Sequence, residues 1–220
     1  MEASHFHQEL EQLRLKVIHM AALTERALAN ALESLFQRNS ELAGEVIGND
    51  QHINSLELEI DRIVLKLLAL DQPMARDLRF ILGSMRACVN LERLADQAVN
   101  IAERALYLNQ RAPLPHQPAV EQLATTSMDM LKTAISAFIN QNPVQAEEVC
   151  RMDNEADELN VKILRHFIDY MVSEVRAVER AVHTIIIARC LERTGDLSTN
   201  IAEAVIFIVD GVNVKHHCQE

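Results

Sequence analysis

Twice along this chain the same polar residues recur in the same order: Glu92, Asp96, Asn100 and Glu103, then Glu192, Asp196, Asn200 and Glu203. In a helix, at about 100° per residue, each set covers roughly 80° of the surface and makes one acidic stripe. Carboxylate and amide oxygens are hard ligands, suited to iron, manganese, magnesium or calcium and sometimes to zinc. Like charges at i and i+4 cost about 0.2–0.5 kcal/mol in an isolated helix unless a cation stands between them. Repeating that cost points to a use. Upstream, Asp50, Asn54, Glu57 and Asp61 share another face, as do Asp153, Asp157 and Asn160. If the two helices pack side by side, each half presents carboxylates from both. The plainer alternative is that these acids are solvated and paired with bases such as Arg93 and Arg193.

The elements that must position these acids are legible from spacing. Beside each stripe runs a face of apolar or small residues, Leu91, Ala95, Ala98 and Ala102 in one case and Leu191, Gly195, Ser198 and Ala202 in the other, which admits a close partner helix. Eight of the thirteen positions in 91–103 are identical to those in 191–203, and 50–57 matches 153–160 more loosely. Pro73, Pro113, Pro115, Pro118 and Pro143 fall between long periodic segments, which predicts six helices at about 5–38, 41–70, 73–109, 118–140, 143–170 and 174–210. Asn142, Pro143 and Gln145 make a helix-start signal, and Pro73 after Gln72 offers the same fixed φ. Long helices joined by short turns lie antiparallel. The expectation is an all-α fold of two tandem elongated three-helix bundles related by internal duplication. They occupy 1–112 and 119–215, with a Pro-rich linker at 113–118 and a tail at 216–220.

Composition narrows the function. A net charge of −11 opposes binding to nucleic acid, which needs clustered bases to displace counterions. Aromatics make up 4% of the chain and there are only five glycines, a mix that favours helix packing. Cys88, Cys150, Cys190 and Cys218 show no metal or disulfide spacing and read as reduced thiols. The start lacks the blocks of a signal peptide and no apolar run approaches the roughly 20 residues of a membrane span, so the expected location is the cytoplasm. His5 and His7, and His216, His217 and Cys218, read as terminal tails. Arg76 and Arg79 read as exposed ion-pairing residues rather than an anion site. The one Glu-x-x-His match, Glu2 to His5, lies at a terminus, which speaks against a ferritin-like di-iron bundle. No Gly-rich phosphate loop or nucleophile signature supports catalysis.

The doubled Leu-Glu-Arg-x-x-Asp-x-x-x-Asn-Ile-Ala-Glu motif, with Leu70-Asp-Gln-Pro-Met-Ala-Arg-Asp-Leu-Arg79, resembles the PhoU family of bacterial phosphate-signalling proteins over nearly the whole chain. The resemblance implies multinuclear sites for divalent or trivalent ions such as iron, zinc, manganese or magnesium. These map onto Asp50 and Asn54 with Glu92 and Asp96, and onto Asp153 and Asp157 with Glu192 and Asp196, with Asn100, Glu103, Asn200 and Glu203 as secondary ligands. Asn54 departs from the family's Asp, so the first-half site is expected to be the weaker. The implied role is that of a non-enzymatic negative regulator of phosphate uptake and the phosphate-starvation response. Its implied partners are the ATPase subunit of the phosphate ABC transporter and a sensor histidine kinase. Homodimerisation and only peripheral membrane association are also implied. The rival reading is a metal-dependent phosphohydrolase or metal-storage bundle.

Overall fold

Caps and prolines set the helix ends in the computed structural model, which describes residues 2–70 and 72–213. The order is α1 (Glu2–Phe36), α2 (Ser40–Leu70), α3 (Ala75–Asn109), α4 (Pro118–Asn140), α5 (Pro143–Ser173) and α6 (Val178–Asp210), with a 3-10 turn at Val175–Ala177 before α6. Asn142 Oδ1 accepts from the Val144 and Gln145 amides at 3.0 and 3.4 Å, the start signal read from the sequence. Asn39 does the same for α2, accepting from Glu41 and Leu42 at 3.1 Å. Each capping Asn follows a left-handed residue, Arg38 at φ 55° and Gln141 at φ 49°, so the duplication extends to the backbone of the turns. The third helix starts at Ala75 rather than Pro73, because Met74 is extended and Gln72 and Ala75 adopt φ of 44° and 36°. The sixth starts at Val178 because Glu174 accepts from the Arg176 amide and closes a separate turn.

In each half α3 or α6 is the central helix: α3 packs against α1 and α2, α6 against α4 and α5. The two central helices also pack on each other, with α1 touching α4, which joins the bundles side by side. The join is tight. A Cβ placed on Gly83 would stand 2.3 Å from Ile208 Cγ1 and 3.3 Å from the Ala204 carbonyl. At one end of the seam Phe80 stacks on Phe138 with centroids 6.2 Å apart, and Arg14 donates to the Ile139 carbonyl at 2.8 Å. At the other, Tyr107 stacks on His183 with centroids 3.9 Å apart, and Arg111 covers the Tyr107 ring at 4.5 Å.

The reading of Arg76 and Arg79 as ion-pairing surface residues is corrected here. Arg79 Nε donates to the Ile208 carbonyl at 3.2 Å, closing the C-terminal end of α6, and Arg76 donates to Gln141 Oε1 at 3.1 Å. Both arginines therefore tie the halves together; cations near a helix C-terminus are also favoured by its dipole. The Pro-rich linker is pinned rather than loose. Arg38 donates to the carbonyls of Leu108, Asn109 and Arg111, and Arg180 donates to that of Ala112 at 2.9 Å. His5 and His7 lie on α1 and not in a tail, with His5 Nε2 3.9 Å from Glu9. His216, His217 and Cys218, with the whole 216–220 tail, lie outside the described residues. Cys88 and Cys190 are free and buried, as the reading as reduced thiols expects.

The seam generates a paired stability prediction. Gly83→Val should cost about 1–3 kcal/mol by overpacking α3 against α6. Gly44→Ala, where nothing lies within 4 Å, should raise stability by up to about 1 kcal/mol through helix propensity. Chemical denaturation of both variants checks the contrast.

Candidate metal centre

The acidic stripes lie at the rims of the α2–α3 and α5–α6 grooves because the central helices turn their small faces inward. Leu91, Ala95, Ala98 and Ala102 are buried, as are Leu191, Gly195, Ser198 and Ala202. Two buried hydroxyls fix the height of the motif in each bundle: Thr24 donates to the Leu91 carbonyl at 3.3 Å and Ser127 to the Leu191 carbonyl at 2.9 Å. Glu92, Glu192 and Asp196 are half-buried at the rim, while Asp96 and Asp157 are exposed.

Partial burial and mutual repulsion shape the electrostatics. In the first half burial lifts Glu57, Glu92 and Asp96 above the usual carboxylate range. Asp61 and Asp96 add to the effect on Glu57, Asp96, Glu57 and Asp50 to that on Glu92, and Asp50 to that on Asp96. Arg93 pulls Glu57 and Glu92 back. In the second half burial, then Asp196 and Asp157, push Asp153 up to about 6, with Glu203 adding and the Thr199 hydroxyl opposing. Burial and Asp196 raise Glu192, and burial and Asp157 raise Asp196, both moderated by Arg189 and Arg193. Each half thus gathers acids from two helices, as the spacing implied. Arg193 Nη1 lies 3.9 Å from Asp196 Oδ2, so part of the solvated-pair alternative also holds.

The donor atoms fit a hard cation in part. Asn54 Nδ2 donates to Asp50 Oδ2 at 2.8 Å, leaving Asp50 Oδ1 and Asn54 Oδ1 buried with no hydrogen-bond partner. In the second half the Thr199 hydroxyl stands beside Asp153 yet is buried without a hydrogen bond of ordinary geometry. Buried acceptors left unpaired carry a desolvation cost that a cation would remove. Even so, among the described residues no three His, Cys, Asp or Glu side chains converge closely enough to hold an ion as they stand. Cys88, near Glu57, Asp61 and Glu92, is no substitute ligand: burial, with those acids adding, pushes its thiol up to about 12.

The secondary positions divide. Glu203 bears on Asp153 and joins the second cluster, whereas Glu103 is exposed and lies 4.0 Å from Arg104. Asn200 is exposed and Asn100 half-buried, and neither is drawn into a cluster by a hydrogen bond. Sequence reasoning missed Thr199 and Arg189. Thr199 replaces Val99 within the repeat, a polar-for-apolar difference that was the available signal.

Two segments, residues 17–105 and 120–205, match the model of the PhoU domain, one in each bundle. The chain belongs to the PhoU family. It is 38% identical to the phosphate-specific transport system accessory protein PhoU homolog of Aquifex aeolicus, over 97% of each chain. With the homolog of the same name from Pseudomonas aeruginosa it shares 34% identity over 96% of this chain and 88% of the relative. The crystal structure of PhoU from Pseudomonas aeruginosa superposes with a TM-score of 0.91 at 34% identity, covering 94% of this chain and all of that one. The phosphate transport system regulatory protein PhoU from Streptococcus pneumoniae gives 0.88 at 26% identity over 95% and 99%. The tandem three-helix architecture is therefore the PhoU fold.

Asp153 titrates in a window that can be tested on the metal-free protein. Its folded pKa lies above the ordinary 3.8, so the native state holds its proton more tightly than the unfolded chain. Stability from this group is present at low pH and is lost as pH rises from about 4 through about 6. Asp153→Asn should accordingly raise Tm at pH 7.5 in the presence of chelator, with the gain vanishing near pH 4. Thermal melts across that range check it.

Proposed function

We propose that this PhoU-family protein is a cytoplasmic, non-enzymatic regulator of a phosphate-specific transport system. It acts as a protein-binding scaffold between the transporter's ATPase subunit and a sensor histidine kinase, and restrains the starvation response when phosphate is plentiful. The relatives' names supply the transport system. The observation that carries the scaffold reading is an apolar row exposed at the same register in both halves. On α2, Leu58 and Leu65 are 57% and 66% exposed; on α5, Val161 and Ile168, 103 residues further on, are 44% and 46% exposed, and Val172 continues the row. Apolar residues aligned along solvent-facing helices mark interaction surfaces. Among the described residues no helix is long and apolar enough to cross a membrane. That suits peripheral docking on membrane complexes and on a second copy of the chain.

The carboxylate clusters serve this role as cation sites that set the charge of the docking face. A hard divalent or trivalent ion would supply positive charge where Asp153, Asp157, Glu192 and Asp196 repel one another. The second half is the stronger site. It offers four carboxylates, whereas in the first Asn54 supplies a neutral oxygen and spends its amide on Asp50. The phosphohydrolase or storage alternative has no nucleophile signature or Gly-rich phosphate loop in the sequence to draw on.

Deleting the gene should switch on phosphate-starvation genes in phosphate-replete cells. Complementation with Leu65→Asp/Ile168→Asp should fail to restrain them, while the variant's stability changes by no more than about 1 kcal/mol. Affinity capture on the wild type should recover the ATPase subunit or the kinase and lose it with the double variant. Unchanged expression in the deletion strain would refute the regulatory role, and undiminished capture would refute the docking face.

A further inference from the structure

The α3–α6 seam has one covered side and one open side. On the covered side α1 touches α4, Phe80 stacks on Phe138 of α4, and Thr24 of α1 donates to the Leu91 carbonyl. Gly83 is the α3 residue set against α6. Counting about 100° per residue from it, Phe80 and Leu91 turn to the covered side and Arg86, Arg93 and Arg104 to the open one. Because Gly83 meets Ile208 and Tyr107 meets His183, α6 runs antiparallel to α3. The same count from Ala204 turns Arg189 and Arg193 to the open side as well. Contacts across the seam agree: Arg86 covers the Phe207 ring at 4.4 Å, and the Arg104 charge opposes the upward push of burial on the Cys190 thiol.

In a chain of net charge −11, these arginines make a basic row, about 27 Å long from residue 86 to 104 at about 1.5 Å per residue. All but Arg104 are exposed. No close ion pair neutralises the row: among the described residues Arg93 and Arg189 have no carboxylate at ion-pair distance, Arg193 stays 3.9 Å from Asp196 and Arg104 4.0 Å from Glu103. The neutral amides Asn90, Gln97 and Asn200 stand among them. The acidic rims frame the row on both sides, with Glu57, Glu92 and Asp96 on one and Asp157, Glu192 and Asp196 on the other. Just outside the rims run the exposed apolar rows, since Leu58 and Leu65 lie within about 60° of Asp61 on α2, and Val161 and Ile168 within about 40° of Asp157 on α5. Across the face the order is therefore apolar, acidic, basic, acidic, apolar.

We propose that this open face binds one helix of a partner protein, about five turns long, with a row of Asp and Glu on the arginines and Lys or Arg on either side of that row. A nucleic acid or an anionic membrane answers the arginines and is repelled by both rims; a wholly basic segment does the reverse. Only a striped helix matches all three lines of charge at once. The inference deepens the scaffold reading by naming the chemistry of the docked segment, and rests on that reading for the existence of a partner.

Fluorescence anisotropy with the whole chain in EDTA tests the face. The probe is a labelled, end-blocked peptide of about 18 residues, with glutamates in one i, i+3, i+4, i+7 row and flanking lysines whose Glu–Lys pairs support the helix. It should bind, and bind less as salt rises. A scrambled peptide of the same composition, duplex DNA and anionic phospholipid vesicles should each bind about tenfold more weakly or worse. Arg86→Gln/Arg189→Gln should weaken the probe about fivefold. Lys132→Gln/Lys162→Gln, an equal charge change at exposed residues off the face, should leave it unchanged. No binding of the probe, equal binding of any of the three comparison ligands, or an equal effect of the two variants would overturn the proposal. The arginine variant should also lose the ATPase subunit or kinase that the wild type captures. Retention there, while Leu65→Asp/Ile168→Asp still loses it, overturns the helix inference and leaves the scaffold reading standing. A wild type that binds the probe but captures neither protein supports the face and counts against the scaffold reading alone.

Discussion

Close approach of α3 and α6, to each other and to their own bundles, is the constraint from which the other features follow. A helix packed on several sides needs small residues, and these two carry Gly83, Ala87, Ala95, Ala98 and Ala102, and Gly195, Ser198, Ala202 and Ala204, all buried. Helix axes about 8–10 Å apart leave no room for more at such contacts. The fraction of surface left for polar groups is correspondingly narrow. The motif acids Glu92 and Glu192 are confined to the groove rims, where they meet α2 and α5.

That confinement converts sequence spacing into electrostatic tension. An acid on a free surface helix hydrates fully and its neighbours are screened. At these rims partial burial removes some of the water while an adjacent helix adds further carboxylates, so Asp153 rises to about 6 and Glu57, Glu92, Asp96, Glu192 and Asp196 rise with it. Nearby arginines offset the repulsion without removing it. The grooves are therefore biased toward negative charge, and the solvent-facing rows of Leu58 and Leu65, and of Val161 and Ile168, toward apolar surface. Both biases are written twice, once per bundle, and the copies have diverged at Asn54 and Thr199.

Much of this was legible before any coordinates. Proline positions and the Asn142 cap gave helix ends close to those observed, and the thirteen-residue repeat gave the two bundles, because both signals are local. What escaped depends on contacts between distant residues. Arg76 and Arg79 look like surface charges until α6 and Gln141 are placed beside them. The start of α3 could not be read from Pro73 alone, since left-handed Gln72 and Ala75 reshape the turn. Thr199 and Arg189 became relevant only when α5 brought Asp153 and Asp157 up to α6. The acids that the resemblance implied stand on facing helices and bear on one another electrostatically, yet among the described residues no three of them converge.

The central claim is that the rim carboxylates are cation sites of unequal strength, with the second bundle the stronger. Anomalous scattering from crystals soaked in manganese tests it most directly. The account predicts a peak between α5 and α6, within ligand distance of Asp153, Asp157, Glu192 and Asp196, and a weaker one or none between α2 and α3. No peak at either rim, or equal occupancy at both, would contradict it.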